Sequence, residues 1–245
     1  MFSKAVKIFL LIFILVTGFF ILNGVRPDGG ETNDNMSNEQ NTDNEKVVVD
    51  LAPPRTDSEV SLEQTLKRRR SVRDFTAEPL ELSEVGQLLW SAQGISCPER
   101  EKRTAPSAGA TYPLETYLLA HRVKGLEAGV YRYNPKEHIL ERVLTDPTEQ
   151  KLSKAALGQE FIDRAPINFV FTAIYDRTTD RYGQRGERYV HMEAGHATQN
   201  AYLQGVSLGL GSVVVGAFDE RTVTEILNIP EEEVPVYIMP IGHER

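Results

Sequence analysis

The chain has 245 residues, 40% of them hydrophobic and 25% charged, with a formal net charge of -8; this is ordinary globular composition, enough for one generous domain or two small ones. The acidic balance argues against a nucleic-acid binder, whose affinity rests on a basic footprint. A single cysteine, Cys97, excludes an internal disulfide and every multi-cysteine metal site.

Residues 1–26 open with Lys4 and Lys7 ahead of an apolar run from Ile8 to Leu22. At about 15 residues the run is shorter than the roughly 20 that span a bilayer and fits a signal core. The expectation is a signal anchor that ties the protein to a membrane, with a cleaved signal peptide and secretion as the alternative. Lysines on the N-terminal side place the remaining chain outside the cytoplasm. Residues 27–57, rich in Asn, Asp, Glu, Gly and Pro, read as a flexible tether. Val47-Val48-Val49 within it can form a short strand or an arm on the domain. The folded unit is expected over residues 58–245.

A helix is predicted over 61–69, capped by Ser61, with Leu62 and Leu66 on one face. It gives way to Arg68-Arg69-Arg70-Ser71-Val72-Arg73-Asp74-Phe75, where four arginines crowd into six residues of an acidic chain. Guanidinium forks suit phosphate or carboxylate, and the Ser71 hydroxyl adds a further bond. A solvated basic face and a generic nucleic-acid or membrane patch are the competing readings. A second helix, 82–93, takes Ser83 as its cap and closes at Trp90 and Gly94. Residues 104–115 form an irregular loop of small residues whose backbone can touch a flat ligand.

Strands are predicted over 116–123, 130–133 and 139–143 as antiparallel hairpins. Short helical stretches follow at 147–157 and 159–162. Residues 167–174 are almost continuously apolar and predict a central strand buried on both faces. After a polar loop at 176–186, the longest helix is expected over 187–208. Met192, Gly195, His196, Gln199, Leu203 and Val206 trace one of its faces, and Ala194, Ala197 and Ala201 allow another helix close. His196 reads as a core histidine. A strand at 213–215, a helix at 220–227 and a strand at 236–241 complete an α+β fold: a central, mostly antiparallel sheet flanked by helices.

Several chemistries are disfavoured. His191 and His196 stand five apart on a helix, so they do not share a face as zinc ligands would, and no metal site is expected. Gly205, Gly209 and Gly211 follow a helix instead of joining strand to helix, which is wrong for a dinucleotide fingerprint. No Gly-x-Ser-x-Gly elbow is present.

Three ordered stretches carry a resemblance. Arg69-Arg70-Ser71-Val72-Arg73-Asp74-Phe75 resembles the opening FMN signature of the nitroreductase family. Residues Pro106 to Glu115 resemble the form found in SagB-type (thiazole/oxazole) dehydrogenases. Glu193 to Asn200, followed by Leu208-Gly209-Leu210-Gly211, is similar to their long helix. The resemblance implies a nitroreductase-like fold with FMN at a homodimer interface. Arg69, Arg70, Ser71 and Arg73 would hold the phosphate and nearby polar groups. Pro106, Ser107 and Ala108 would approach the isoalloxazine from the other subunit, and Val214, Val215 and Gly216 would line its opposite side. Gln159 is a candidate for a ring-edge contact.

Two departures qualify this. Azole-forming members carry a lysine-tyrosine pair before the long helix, where this chain has Arg181-Tyr182. These two stand as the catalytic candidates, but arginine stays protonated and cannot be the base a tuned lysine is. Many nitroreductases place a further basic phosphate ligand well beyond the last strand, and here Arg245 is the candidate substitute. The implied function is ping-pong two-electron transfer to or from a small molecule or peptide, with quinone or NAD(P)H as possible redox partners. A flavin-binding protein without turnover, or a degenerate scaffold, is the alternative.

Overall fold

The structure is a computed structural model that describes residues 47–145 and 148–245. Its strands are β1 (Val48–Asp50), β2 (Leu80–Glu81), β3 (Ile95–Cys97), β4 (Lys102–Arg103), β5 (Leu114–Ala120), β6 (Val123–Lys124), β7 (Gly129–Asn134), β8 (Ile139–Leu144), β9 (Ile167–Ala173), β10 (Gly211–Ser212) and β11 (Val234–Gly242). Its helices are α1 (Leu62–Arg68), α2 (Leu82–Gln93), α3 (Glu149–Ala155), α4 (Phe161–Arg164), α5 (Asp176–Tyr182), α6 (Arg185–Ser207) and α7 (Glu220–Leu227). Seven strands form the main sheet in the order β1-β8-β7-β5-β9-β11-β10, and every neighbouring pair is antiparallel. The α+β expectation therefore holds.

β9 is central, as its apolar run predicts, and every residue in it is buried. Ile167, Phe169 and Phe171 pack with Leu88, Leu89 and Ala92 of α2 and with Ala194, Ala197 and Ala201 of α6. Val170, of the opposite parity, packs with Leu152 and Ala155 of α3 and with Val223 and Leu227 of α7. Alternation along one strand thus feeds two helical layers. The alanines of α6 are what let α2 lie close.

Several expectations need correction. The folded unit starts before residue 58, because β1 pairs with β8 and Leu51 is buried in the core. Beyond it, Gln87 of α2 accepts from the Arg55 N–H and donates to the Arg55 carbonyl, so residues 47–57 are not a free tether. α2 is capped by a Glu81–Glu84 capping box and not by Ser83. The polar loop at 176–186 contains α5, which buries only Thr178 and so lacks an apolar period. Residues 213–215 are not a strand: β10 lies just before them, and Val215 makes one isolated bridge to Ile238. His196 is exposed on α6, not buried in the core. The expected membrane anchor is withdrawn, and with it the extracytoplasmic placement. Among the described residues no helix is long and apolar enough to cross a membrane, and residues 1–26, where the anchor was expected, lie outside the described residues.

Candidate functional site

The arginine loop is fixed by the two ends of the last sheet strands. α1 stops at Arg68, and Arg69 turns extended while its N–H still bonds the Thr65 carbonyl at 2.9 Å. Ser71 then bridges Ser212 in parallel, and the Val72 N–H donates to the Ser212 carbonyl at 2.9 Å. This approach requires glycine at 211, because a Cβ there would sit 2.7 Å from the Val72 side chain. Further along, Phe75 bridges Glu244, and the Arg245 N–H donates to the Asp74 carbonyl at 3.1 Å. The backbone of Arg245 is thereby held beside the loop.

Aromatic rings carry the loop's guanidinium groups toward the rest of the predicted set. Arg69 lies over the Tyr202 ring, 5.2 Å from its centroid, and the Tyr202 hydroxyl accepts from the Val214 N–H at 2.6 Å. Arg73 lies 5.9 Å over Phe161. Close by in sequence, Gln159 Nε2 donates to the carbonyls of Ala156 (2.9 Å) and Ala217 (3.2 Å), which ties it to the residue after Gly216. Val215 is buried, leaving half-buried Val214 and exposed Gly216 as the accessible members of that segment. Arg70 folds back to cap α1, its Nη1 donating to the carbonyls of Lys67 (3.0 Å) and Arg69 (2.8 Å).

The other predicted residues form a separate group. Ser107 precedes a short 3-10 turn at Ala108–Ala110 and accepts from the Tyr112 N–H at 2.9 Å. Gly109 adopts the left-handed region at φ 62, and Arg181 Nη1 donates to its carbonyl at 3.1 Å. A Cβ at Gly109 would stand 2.6 Å from the Tyr182 hydroxyl. Arg181 and Tyr182 therefore clamp the small-residue loop, and Tyr182 meets Tyr189 edge-on at 5.2 Å. Among the described residues no hydrogen bond, ion pair or ring contact joins this group to the arginine loop.

Sequence reasoning did not assign a role to Glu193, Tyr202 or the Tyr175–His191 pair. Glu193 is 2% exposed, sits beside the alanine stripe of α6, and its Oε1 has no hydrogen-bond partner. A charge placed within a small-residue stripe was the available signal. Burial raises its carboxyl to about 7 from the ordinary 4.5, while Ser107 and the Arg103 guanidinium pull it back. The folded chain thus keeps a proton that the unfolded chain releases. Stability from this group is full below about 4.5 and falls as pH rises toward about 7, by up to about 3 kcal/mol. Glu193→Gln is expected to flatten that slope, read as the difference in urea midpoint between pH 5 and pH 7.5. Equal slopes in the two proteins would refute the assignment.

Among the described residues, no group of three or more His, Cys, Asp or Glu side chains is placed to hold a metal ion. For the FMN that the resemblance implies, the donor set is chemically suitable. Arg69, Arg70 and Arg73 have no carboxylate partner among the described residues, so an anionic group would meet uncompensated guanidinium charge. The nitroreductase family profile matches residues 66–243. A Methanocaldococcus jannaschii protein with a provisional nitroreductase name is 49% identical over 186 residues, covering 76% of this chain and 92% of that one. The crystal structure of a provisionally named nitroreductase from Ralstonia eutropha superposes with a TM-score of 0.72 at 32% identity, over 81% of this chain and 90% of that one. The microcin B17-processing protein of Escherichia coli is 29% identical over 165 residues, 65% of this chain and 61% of its own length. The antiparallel sheet, the helices that cover it and these likenesses agree: the chain belongs to the nitroreductase family.

Proposed function

We propose that this chain is an FMN-dependent oxidoreductase working as a homodimer. The carrying observation is a set of arginines without carboxylate partners among the described residues, one of which, Arg69, lies over Tyr202, whose hydroxyl holds the Val214 N–H two residues before the exposed Gly216. In this reading Arg69, Arg70, Ser71 and Arg73 bind the phosphate, with Arg245 alongside. Val214, Gly216 and Gln159 border the ring. Bound FMN supplies reversible two-electron chemistry, and the protein supplies orientation and electrostatics. Among the described residues Pro106, Ser107 and Ala108 make no hydrogen bond, ion pair or ring contact with the arginine loop of their own protomer, which supports their closing over the partner's flavin. Apolar side chains left exposed on α1 and α6, Leu62 (59%), Leu66 (52%) and Met192 (52%), supply surface for such a contact.

The finer reading is a SagB-type relative. Residues 106–115 and the likeness to the microcin-processing protein favour it. Arg181 donates to the Gly109 carbonyl, so it holds the loop, and a guanidinium is not suited to act as a base. That leaves Tyr182 as the one member of the pair able to give or take a proton, and favours two-electron transfer on a small molecule over peptide azoline oxidation.

The test is an absorbance spectrum of the purified protein with its elution volume on gel filtration. A yellow dimer, bleached by dithionite and reoxidised by a nitroaromatic or quinone, is the expected result. A colourless monomer that takes up no added FMN would overturn the reading. A yellow protein that is never reoxidised would reduce it to flavin storage.

A further inference from the structure

Tyr202 stands on α6 and meets two separate stretches of the chain with different parts of its side chain. Its ring lies under the Arg69 guanidinium, 5.2 Å from centroid to charge, which is a cation–π contact. Arg69 is half-buried and has no carboxylate partner among the described residues. A carboxylate would orient the guanidinium and also neutralise it. An aromatic ring orients it and leaves the charge for a ligand.

The hydroxyl meets the segment that follows β10. There the N–H groups of Val213 and Val215 both turn to β11, donating to the carbonyls of Pro240 at 3.3 Å and Ile238 at 2.8 Å. In an extended run the residue between them faces the other way. The Val214 N–H accordingly donates to the Tyr202 hydroxyl at 2.6 Å. Val214 is half-buried, so without that oxygen its N–H would need another partner. The phenol therefore decides how Val214 is held, and with it the approach to the exposed Gly216. Backbone pairing joins the arginine loop to this segment at Ser71 and Ser212. Tyr202 adds a side-chain tie between the same two stretches, from a helix to which neither belongs.

We propose that Tyr202 is a positioning residue that couples the two ends of the flavin site, its ring aiming Arg69 at the phosphate and its hydroxyl setting residues 214–216 against the isoalloxazine. The inference rests on the reading that the arginine loop binds the FMN phosphate, and it divides the labour within one side chain. The ring bears on what distinguishes FMN from riboflavin, since only FMN carries a phosphate. The hydroxyl bears on what the two flavins share. A tyrosine that only filled space would affect both flavins alike, whichever part of it were removed.

FMN and riboflavin are the probes, titrated by fluorescence quenching into the full chain freed of flavin. The parent is expected to prefer FMN by at least about tenfold, from charge-assisted bonds to the phosphate. Tyr202→Phe keeps the ring and should weaken both flavins by about threefold, with the preference unchanged. Tyr202→Leu removes ring and hydroxyl together and should also cut the preference by about two- to fivefold. In an Arg69→Ala background, Tyr202→Leu should leave the remaining preference where it is, because no guanidinium is left for the ring to aim. Tyr202 packs against the core, so circular dichroism checks the fold of the leucine variant. A further measurement needs no ligand: in Tyr202→Phe the Val214 amide hydrogen should exchange about three- to tenfold faster. Unchanged exchange would overturn the proposal even if the leucine variant did not fold. A preference that survives Tyr202→Leu intact, or that Tyr202→Phe reduces as much as leucine does, would overturn it too. A parent that binds FMN no better than riboflavin, or binds neither, would refute the phosphate reading itself and the coupling with it.

Discussion

The double variant Arg69→Ala/Arg70→Ala is expected to bind FMN at least about a hundredfold more weakly than the parent protein. Each charge-assisted hydrogen bond to a phosphate contributes about 1.5–3 kcal/mol, so losing two leaves room for a larger effect if they act independently. The parent's affinity should also fall with added salt, and the variant's much less, because the attraction removed is the screened one. Arg70 also caps α1 through the carbonyls of Lys67 and Arg69. Some loss of helix is therefore expected and must be separated from loss of ligand contact. Far-ultraviolet circular dichroism measures the first. Arg100→Ala, at an exposed position in the turn after β3, removes one positive charge outside the arginine loop and should leave FMN affinity within about twofold, since the field of an exposed charge is screened by salt. Retention of FMN by the double variant within threefold of the parent would move the phosphate elsewhere and take the arginine loop out of the site.

What could be read in advance follows from which physical signal each element carries. β9 was legible because an unbroken apolar run has one economical use, a strand covered on both faces. The arginine loop was legible because its charge contradicts the sign of the whole chain. Periodicity told which residues share a face but not which way that face points. Leu62 and Leu66 do lie together on α1, yet they face outward, and the face of α6 that carries Met192, Gly195, His196 and Gln199 is likewise exposed. α5 was missed because it buries a single threonine and has no side-chain cap. β1 was recognisable only as a possibility, since three valines at the end of a polar stretch make a strand only where an edge such as β8 is free to receive them. Tyr202 had no signal at all. Its role comes from touching Arg69 with its ring and Val214 with its hydroxyl, and Arg69 is far from it in sequence while Val214 lies beyond the end of its helix.

The second large effect concerns how the small-residue loop is held. Glu233 is 2% exposed and accepts hydrogen bonds from the Tyr117 hydroxyl at 3.0 Å and Thr172 Oγ1 at 2.7 Å. It also pairs with Arg132 at 3.4 Å. Arg132 reaches Glu115 at 3.2 Å, Glu115 reaches Arg177 at 2.7 Å, and Arg177 Nη1 donates to the Tyr112 carbonyl at 3.0 Å. An ionic chain therefore runs from the start of β11 across the sheet to the loop that carries Ser107. Burial alone would lower the Arg132 guanidinium, but Glu115 and Glu233 more than reverse it, as a functioning network requires. Removing Glu233 strands two buried hydroxyls and half the compensation for Arg132. Glu233→Ala is expected to cost about 3–5 kcal/mol in a urea titration at pH 7. Glu233→Gln keeps an acceptor for Tyr117 and Thr172 and should cost about 1–2 kcal/mol. If the chain positions the loop as well as stabilising the sheet, Arg177→Ala should show a different split. Its side chain is 37% exposed, so little stability is at stake, yet the Tyr112 carbonyl loses its donor and the loop should exchange its amide hydrogens faster. A Glu233→Ala protein within 1 kcal/mol of the parent would show that the ionic chain contributes little and that the loop is held by its other contacts, Arg181 on the Gly109 carbonyl and Thr178 on Thr111 among them.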